Sequence, residues 1–123
     1  FAALMPVYPA AWVYNRVPGF EFGGLVDAPM LIMTGALDQY DNDPDISAKL
    51  VAGLDAKDRA KITLKVMADA HHGFDMPGAD VEVEDPFGNQ GKGGRVIMRH
   101  NLQATEDAHR IAVEFFSDAL NAR

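Results

Sequence analysis

The sequence predicts an α/β fold, with about three mostly parallel strands and flanking helices in one domain over residues 1–123. Several short apolar runs are of the kind that form strands buried on both faces of a sheet. A stretch with helical spacing of apolar residues separates two of these runs, and a long amphipathic stretch ends the chain. Strands that alternate with helices favour parallel pairing through crossover connections, and hence a layered architecture.

The first two strand candidates lie in the N-terminal third of the chain. Residues 1–8 (Phe-Ala-Ala-Leu-Met-Pro-Val-Tyr) are almost all apolar and end at Pro9, which is typical of a strand in a parallel sheet. Residues 10–28 are mixed and contain several glycines and a proline, which indicates a loop. Residues 29–34 form the second candidate, which ends at Gly35, and a proline is tolerated at its first position.

A helix and a third strand follow. Asp43 and Pro44 are a helix-start signal, since a capping acceptor precedes a proline at the first helical position. The apolar spacing after them predicts a helix over residues 44–54. Residues 61–67 alternate polar and apolar residues, which predicts a strand with one polar face, near the edge of the sheet.

The C-terminal half is predicted to contain a loop and a helix. After residues 70–75 the chain is rich in Gly, Pro and Asp through about Gly94, which predicts a long loop. Whether residues 76–101 are a lid or merely an insertion stays open. A helix is predicted over residues 103–121 because its apolar residues form one stripe. The stripe consists of Ala108, Ile111, Ala112, Phe115, Phe116 and Leu120.

Composition excludes several classes of partner. The net charge is -7 and no segment concentrates Lys or Arg, so no nucleic-acid partner is expected. No apolar run approaches the roughly 18 residues of a membrane helix, so no membrane association is expected. The chain has no cysteine, which excludes disulfides, zinc–thiolate sites and a cysteine nucleophile within it. No cofactor is expected. The sequence does not fix a compartment, although the cytoplasm is favoured over secretion.

Two residues capable of proton transfer follow neighbouring strand candidates. Asp38 lies a few residues beyond the second candidate, and His72 lies beyond the third. Because parallel strands end at the same edge of a sheet, we expect the two side chains to meet there. A carboxylate beside an imidazole orients the ring and selects its tautomer, and the imidazole can then act as general base and acid.

The segments around these residues resemble one known family. Residues 34–38 (Thr-Gly-Ala-Leu-Asp) resemble the strand-and-acid segment of the dienelactone hydrolase family in the α/β-hydrolase superfamily. Residues 70–75 (Ala-His-His-Gly-Phe-Asp) resemble its histidine loop, which is the most specific part of the likeness. Residues 101–120 look like the family's last helix, and residues 1–9 look like the strand after the nucleophile's helix. The chain thus resembles the C-terminal portion of such a hydrolase, as a single partial domain.

The resemblance implies a carboxylic-ester or lactone hydrolase with Asp38 as triad acid and His72 as base. It also implies a nucleophile earlier in the chain, on a Gly-x-(Ser/Cys)-x-Gly elbow. The two serines, Ser47 and Ser117, lie in predicted helices, lack elbow glycines and follow Asp38. We therefore expect the elbow to precede Phe1, and the catalytic triad to be incomplete in residues 1–123, so that this chain alone is inactive.

Simpler interpretations exist for several of these residues. Aspartates often bond the local backbone in turns after strands, and His71 is expected to be an ordinary loop histidine. Three alternating aspartates suggest a calcium loop, but the glycine and glutamate that such a loop requires are missing, so a helix-capping acidic turn is favoured and no metal is expected. Trp12 and Phe74 could line a substrate pocket or pack in the core. The aspartates are Asp41, Asp43 and Asp45.

Two functional hypotheses remain open. The first is a hydrolase whose nucleophile lies outside this chain and whose substrate is a small ester or lactone. The second is a non-catalytic, truncated module derived from a hydrolase, which self-assembles or binds a partner. Because the apolar run of residues 1–8 would form an open sheet edge, we expect a homo-oligomer or pairing with a separate N-terminal fragment.

Overall fold

Residues 1–122, which the computed structural model describes, form a small mixed α/β domain. The α/β class is confirmed, but the strands form one parallel and one antiparallel pair rather than a mostly parallel set. The elements, in chain order, are a 3-10 turn Ala11–Val13, β1 Met30–Gly35, α1 Ile46–Ala52, α2 Ala56–Arg59, β2 Ile62–Met67, β3 Asp80–Glu84, α3 Gly88–Gly91, β4 Arg95–Arg99 and α4 Leu102–Asn121.

Strand β1 is the centre of the parallel part of the structure. All six of its residues are buried, and it pairs with β2 from Met30 opposite Ile62 to Gly35 opposite Met67. On its other side the predicted first strand runs parallel to it, but only as two isolated bridges from Leu4 and Val7. Proline at position 6 has no backbone N–H, which shortens the hydrogen-bonded ladder there.

Strand β2 has the predicted alternation over its first four residues only, since Val66, which the alternation places on one face with Ile62 and Leu64, is exposed. The side chains of Thr63, Lys65 and Val66 are exposed, whereas Ile62 and Leu64 are half-buried against the core. No further strand of residues 1–122 pairs with its outer side. The prediction that this strand lies at a sheet edge is confirmed for the described part of the chain.

Helices cover both faces of β1, because successive side chains of a strand point to opposite sides. Ala104 and Ala108 of α4 pack against one face of the strand, and Val51 of α1 packs against the other. The buried residues of the first face are Leu31, Met33, Ala70, Phe74, Ala104 and Ala108. Those of the second are Met30, Ile32, Val51 and Leu54. The domain therefore has three layers around one central strand.

The predicted long loop through about Gly94 is wrong. Strands β3 and β4 form an antiparallel hairpin in that segment, from Asp80 opposite Arg99 to Glu84 opposite Arg95. Strand β3 alternates charged and apolar residues, and β4 has an arginine at each end, so opposite charges face each other at both ends of the pair, as in the ion pair of Arg99 with Asp80 at 3.4 Å. The turn includes α3, where Asn89 has the left-handed φ that asparagine tolerates.

The two predicted helices form, with shifted starts. Helix α1 begins at Ile46 rather than at Pro44, because the backbone N–H of Ile46 donates to the Asp43 carbonyl three residues back, in a turn tighter than an α-helical one. Helix α4 is capped by Asn101, whose side chain accepts from the backbone N–H of Ala104 at 3.0 Å.

The predicted apolar stripe of α4 is only partly buried. Ile111, Ala112 and Phe115 pack against the core, whereas Leu120 is 56% exposed. Phe116 is half-buried and contacts the edge of the Phe115 ring. In residues 1–122, no helix combines the length and apolarity needed to cross a membrane.

Candidate functional site

The candidate site is built on two loops at the carboxyl ends of β1 and β2. We call residues 36–43 the acid loop and residues 68–75 the histidine loop. Their backbones are joined directly, since the N–H of Ala36 donates to Met67 at 2.9 Å and the N–H of Leu37 donates to Ala70 at 3.0 Å. A Cβ on Gly35 would lie 2.2 Å from the carbonyl oxygen of Ala70, so only glycine permits this approach.

The two predicted site residues meet between these loops. Nδ1 of His72 lies 2.8 Å from Oδ2 of Asp38, and the Asp38 side chain is only 4% exposed. The second carboxylate oxygen of Asp38 accepts a hydrogen bond from the backbone N–H of Tyr40 at 2.8 Å. The predicted meeting of the carboxylate and the imidazole at one edge of the sheet is confirmed.

The hydrogen bond determines the chemistry available to the imidazole. A carboxylate can only accept, so Nδ1 of His72 carries the hydrogen and Nε2 of the neutral ring is an acceptor. No residue in the described range 1–122 hydrogen-bonds Nε2, and this atom is not sealed from solvent. The neutral imidazole of His72 can therefore accept a proton at Nε2.

Two tyrosine rings lie next to the imidazole of His72. The ring centroid of Tyr8 lies 4.4 Å from it and that of Tyr40 lies 4.6 Å from it, with similar tilts of 58° and 59°. The hydroxyl of Tyr8 donates to Asp75 at 2.8 Å, and the hydroxyl of Tyr40 donates to Asp85 at 2.7 Å. Burial, followed by these bonds to carboxylates, raises the pKa of each tyrosine to about 12.

Sequence reasoning missed both tyrosines. Tyr8 follows an apolar run and Tyr40 sits in a turn, so neither carries a local pattern that distinguishes it from a packing residue. The one available signal was position, because each follows a strand-like segment at the edge where Asp38 and His72 were expected.

The three alternating aspartates have separate roles. The buried carboxylate of Asp41 accepts from the backbone N–H groups of Ala11 at 3.0 Å and Trp12 at 2.8 Å, and burial raises its pKa. Asp43 binds Lys49 at 2.6 Å, while Asp45 is exposed. Within residues 1–122, no group of three or more His, Asp or Glu side chains lies close enough together to hold a metal ion.

The hairpin contacts both loops of the site. The backbone N–H of Ile97 donates to the side chain of Gln39 at 2.8 Å, and that of Asn89 donates to the Gln39 carbonyl at 2.7 Å. On the histidine loop, the carbonyl of His72 accepts from Arg99 at 3.2 Å. Segment 80–99 therefore holds the two loops from outside the parallel sheet.

The two serines lie in helices, as predicted, and neither is on a strand–turn–helix elbow. Ser47 is 2% exposed in α1, and its hydroxyl has no hydrogen-bond partner among residues 1–122. Ser117 is exposed on α4. Phe74 is fully buried in the core, so the packing interpretation holds for it. Trp12 instead lines an open cleft of about 370 Å³ beside α1, whose lining does not include Asp38 or His72.

Comparisons of the chain with models of protein families, with curated proteins and with solved structures found no match.

Proposed function

We propose that residues 1–123 form the C-terminal portion of an α/β-hydrolase similar to the dienelactone hydrolases, which cleaves carboxylic esters or lactones. One observation carries the proposal: the 2.8 Å contact from Nδ1 of His72 to Asp38, with Nε2 free at the carboxyl ends of two adjacent parallel strands. The likeness of residues 34–38 and 70–75 to that family also supports hydrolysis of an ester or lactone.

In the proposed reaction, His72 moves protons and Asp38 holds His72. Nε2 takes the proton of a serine hydroxyl or cysteine thiol while that group attacks the acyl carbon of the substrate. The imidazolium then gives the proton to the leaving alcohol oxygen as its bond to the acyl carbon breaks. A water molecule, deprotonated by the same Nε2, then attacks the acyl carbon. The bond from that carbon to the serine oxygen or cysteine sulfur breaks, which releases the acid, and Nε2 returns the proton to the nucleophile. Throughout, the carboxylate of Asp38 stabilises the imidazolium and keeps the ring oriented.

The nucleophile in this proposal comes from a polypeptide segment outside residues 1–123. The chain has no cysteine, Ser47 is enclosed in α1, and Ser117 is on α4. The reaction therefore needs the complete gene product, or a second chain, to place an elbow residue within hydrogen-bond reach of Nε2.

The test uses the complete gene product that carries these residues, with a nitrophenyl ester and a simple lactone as substrates. We expect Asp38→Asn and His72→Ala to lower turnover steeply, since a triad aspartate-to-asparagine change can cost on the order of 10⁴-fold. His71→Ala is the matched control, because its imidazole is adjacent in sequence but makes no bond to Asp38, and it should retain near-normal turnover.

A serine- or cysteine-directed covalent probe completes this test. We expect it to label a residue outside 1–123, and to label it more slowly in the His72→Ala variant. Normal ester cleavage by either Asp38→Asn or His72→Ala would refute the assignment. Cleavage at an enzymatic rate by residues 1–123 alone would refute the external nucleophile.

The exposed edge of β2 favours a second candidate function, a non-catalytic module that binds a second polypeptide by strand pairing. Among residues 1–122 no strand pairs with that edge, and the side chain of Val66 on it is 46% exposed. Open edges of this kind recruit other strands. Sedimentation at micromolar concentration should show a homodimer or a complex with an N-terminal fragment, and a strictly monomeric chain would contradict this candidate.

A further inference from the structure

We propose that Tyr8 and Tyr40 are positioning residues, which clamp the imidazole of His72 in the plane where Nδ1 faces Asp38 and Nε2 faces the reacting groups. The inference rests on the proposed function, because it assigns the two tyrosines to the same proton-transfer step. In the proposed reaction neither tyrosine transfers a proton.

The hydrogen bond to Asp38 orients the imidazole of His72 only in part. The torsion about the bond that joins a histidine ring to its Cβ is broad rather than confined to narrow staggered wells. The bond restrains the distance from Nδ1 to Asp38, but the two side-chain torsions of His72 can still change together while that distance holds. A second constraint is therefore required to narrow the directions in which Nε2 can point.

The two tyrosine rings provide that constraint. Their centroids lie 4.4 and 4.6 Å from the imidazole centroid, at the short end of the range of aromatic pair contacts. Tyr40 also fixes the acid, since its own backbone N–H donates to Oδ1 of Asp38. Because both rings are already this close, a rotation that moves the imidazole toward either of them is opposed by steric overlap.

Each tyrosine is anchored at both ends. The backbone N–H of Tyr8 donates to Met33 of β1 at 2.7 Å, and its hydroxyl donates to Asp75 in the histidine loop. The hydroxyl of Tyr40 donates to Asp85, at the end of β3. The two anchors thus belong to different segments, and the phenols are protonated donors at neutral pH, as any tyrosine is; the raised pKa of about 12 extends that state to more alkaline solution.

The clamp predicts a particular kinetic pattern. Removing a ring in Tyr8→Leu or Tyr40→Leu should allow Nε2 to move away from its position for proton transfer. A displacement of a reacting group by about 1 Å can cost about 10²-fold in rate. We expect kcat to fall by roughly 10- to 100-fold while KM changes little, because substrate binding is not removed. Tyr8→Phe and Tyr40→Phe keep the ring but lose its anchoring hydrogen bond, so they should retain more of kcat than the leucine variants.

Nuclear magnetic resonance of histidine-labelled protein tests the clamp without any substrate. In the unmutated complete gene product, we expect contacts between the His72 ring protons and both tyrosine rings, ring-current shifts of those protons, and a hydrogen on Nδ1. Each leucine variant should weaken these signatures and admit the other tautomer, whereas each phenylalanine variant, which keeps the ring, should retain more of them than the matching leucine variant.

The outcomes separate the two proposals. Absence of the contacts to either tyrosine in the unmutated protein would overturn the clamp, and this measurement requires no variant to fold. Leucine variants that keep both kcat and the Nδ1–H tautomer would overturn it too. If the signatures are present but the complete gene product cleaves no ester or lactone, the proposed function fails and the orienting role of the tyrosines stands.

Discussion

The site loops and the hairpin beside them are stabilised in different ways. The acid loop follows the buried strand β1 and the histidine loop follows the edge strand β2, and main-chain hydrogen bonds and a glycine contact hold the two loops together. The β3–β4 hairpin is largely exposed, pairs charged side chains across its strands, and reaches the site through a few bonds at its inner edge. The comparison indicates that site geometry depends on close backbone packing and much less on the surface charges nearby.

The largest expected effect comes from the backbone contact itself. In Gly35→Ala the new methyl group would lie 2.2 Å from the carbonyl oxygen of Ala70, so β1 and the histidine loop must separate. We expect a loss of about 3 kcal/mol in the free energy of unfolding, the upper part of the usual range for overpacking. Urea denaturation measures this loss.

Gly53→Ala is the matched control for that substitution. Its new methyl group would meet no atom closer than 3.5 Å, and its φ of -76° suits any residue. We expect a change of no more than about 0.5 kcal/mol. Equal stability of the Gly35→Ala variant and the unmutated protein would show that the contact of the two loops is loose.

A smaller effect is expected where the hairpin joins the acid loop. Gln39→Ala leaves the backbone N–H of Ile97 without its acceptor, while the bond from Asn89 to the Gln39 carbonyl persists. Losing a partner for a partly buried donor costs about 1–2 kcal/mol. Hydrogen exchange of the Ile97 amide should accelerate, whereas Gln39→Glu, which keeps an acceptor oxygen, should protect it. If the Ile97 amide exchanged at an unchanged rate in the alanine variant, the hydrogen bond to Gln39 would not couple the hairpin to the site.

The smallest effect is expected on the hairpin's exposed face. Arg95 pairs with Glu82 across the strands, but the two side chains are 60% and 43% exposed. Exposed ion pairs contribute between 0 and about 1 kcal/mol, so Arg95→Gln should cost about 0.5 kcal/mol or less, and less still in high salt. A double-mutant cycle with Glu82→Gln isolates the pair. A coupling energy between Arg95 and Glu82 as large as the stability loss from Gln39→Ala would contradict the conclusion that the surface charges matter less than the backbone packing.

The same contrast explains what could be predicted from the sequence. Strands β1 and β2 and helices α1 and α4 carry apolar periodicities that local reading detects, and the meeting of Asp38 with His72 follows from parallel pairing alone. The hairpin was missed because each of its strands is only five residues long, β3 is mostly charged, and its glycine- and proline-rich flanks suggest a loop. The tyrosine contacts were missed because they depend on partners far along the chain, such as Asp85, which is 45 residues from Tyr40.

The bond from the Leu37 N–H to the Ala70 carbonyl makes the spacing of the two loops independent of the side chain at position 37. It uses only main-chain atoms, and the Leu37 side chain itself is 44% exposed. Side chains at such positions can be exchanged without altering the spacing of the loops that carry them. A library randomised at Leu37 should yield many folded members, with new surface chemistry beside an unchanged acid–imidazole pair.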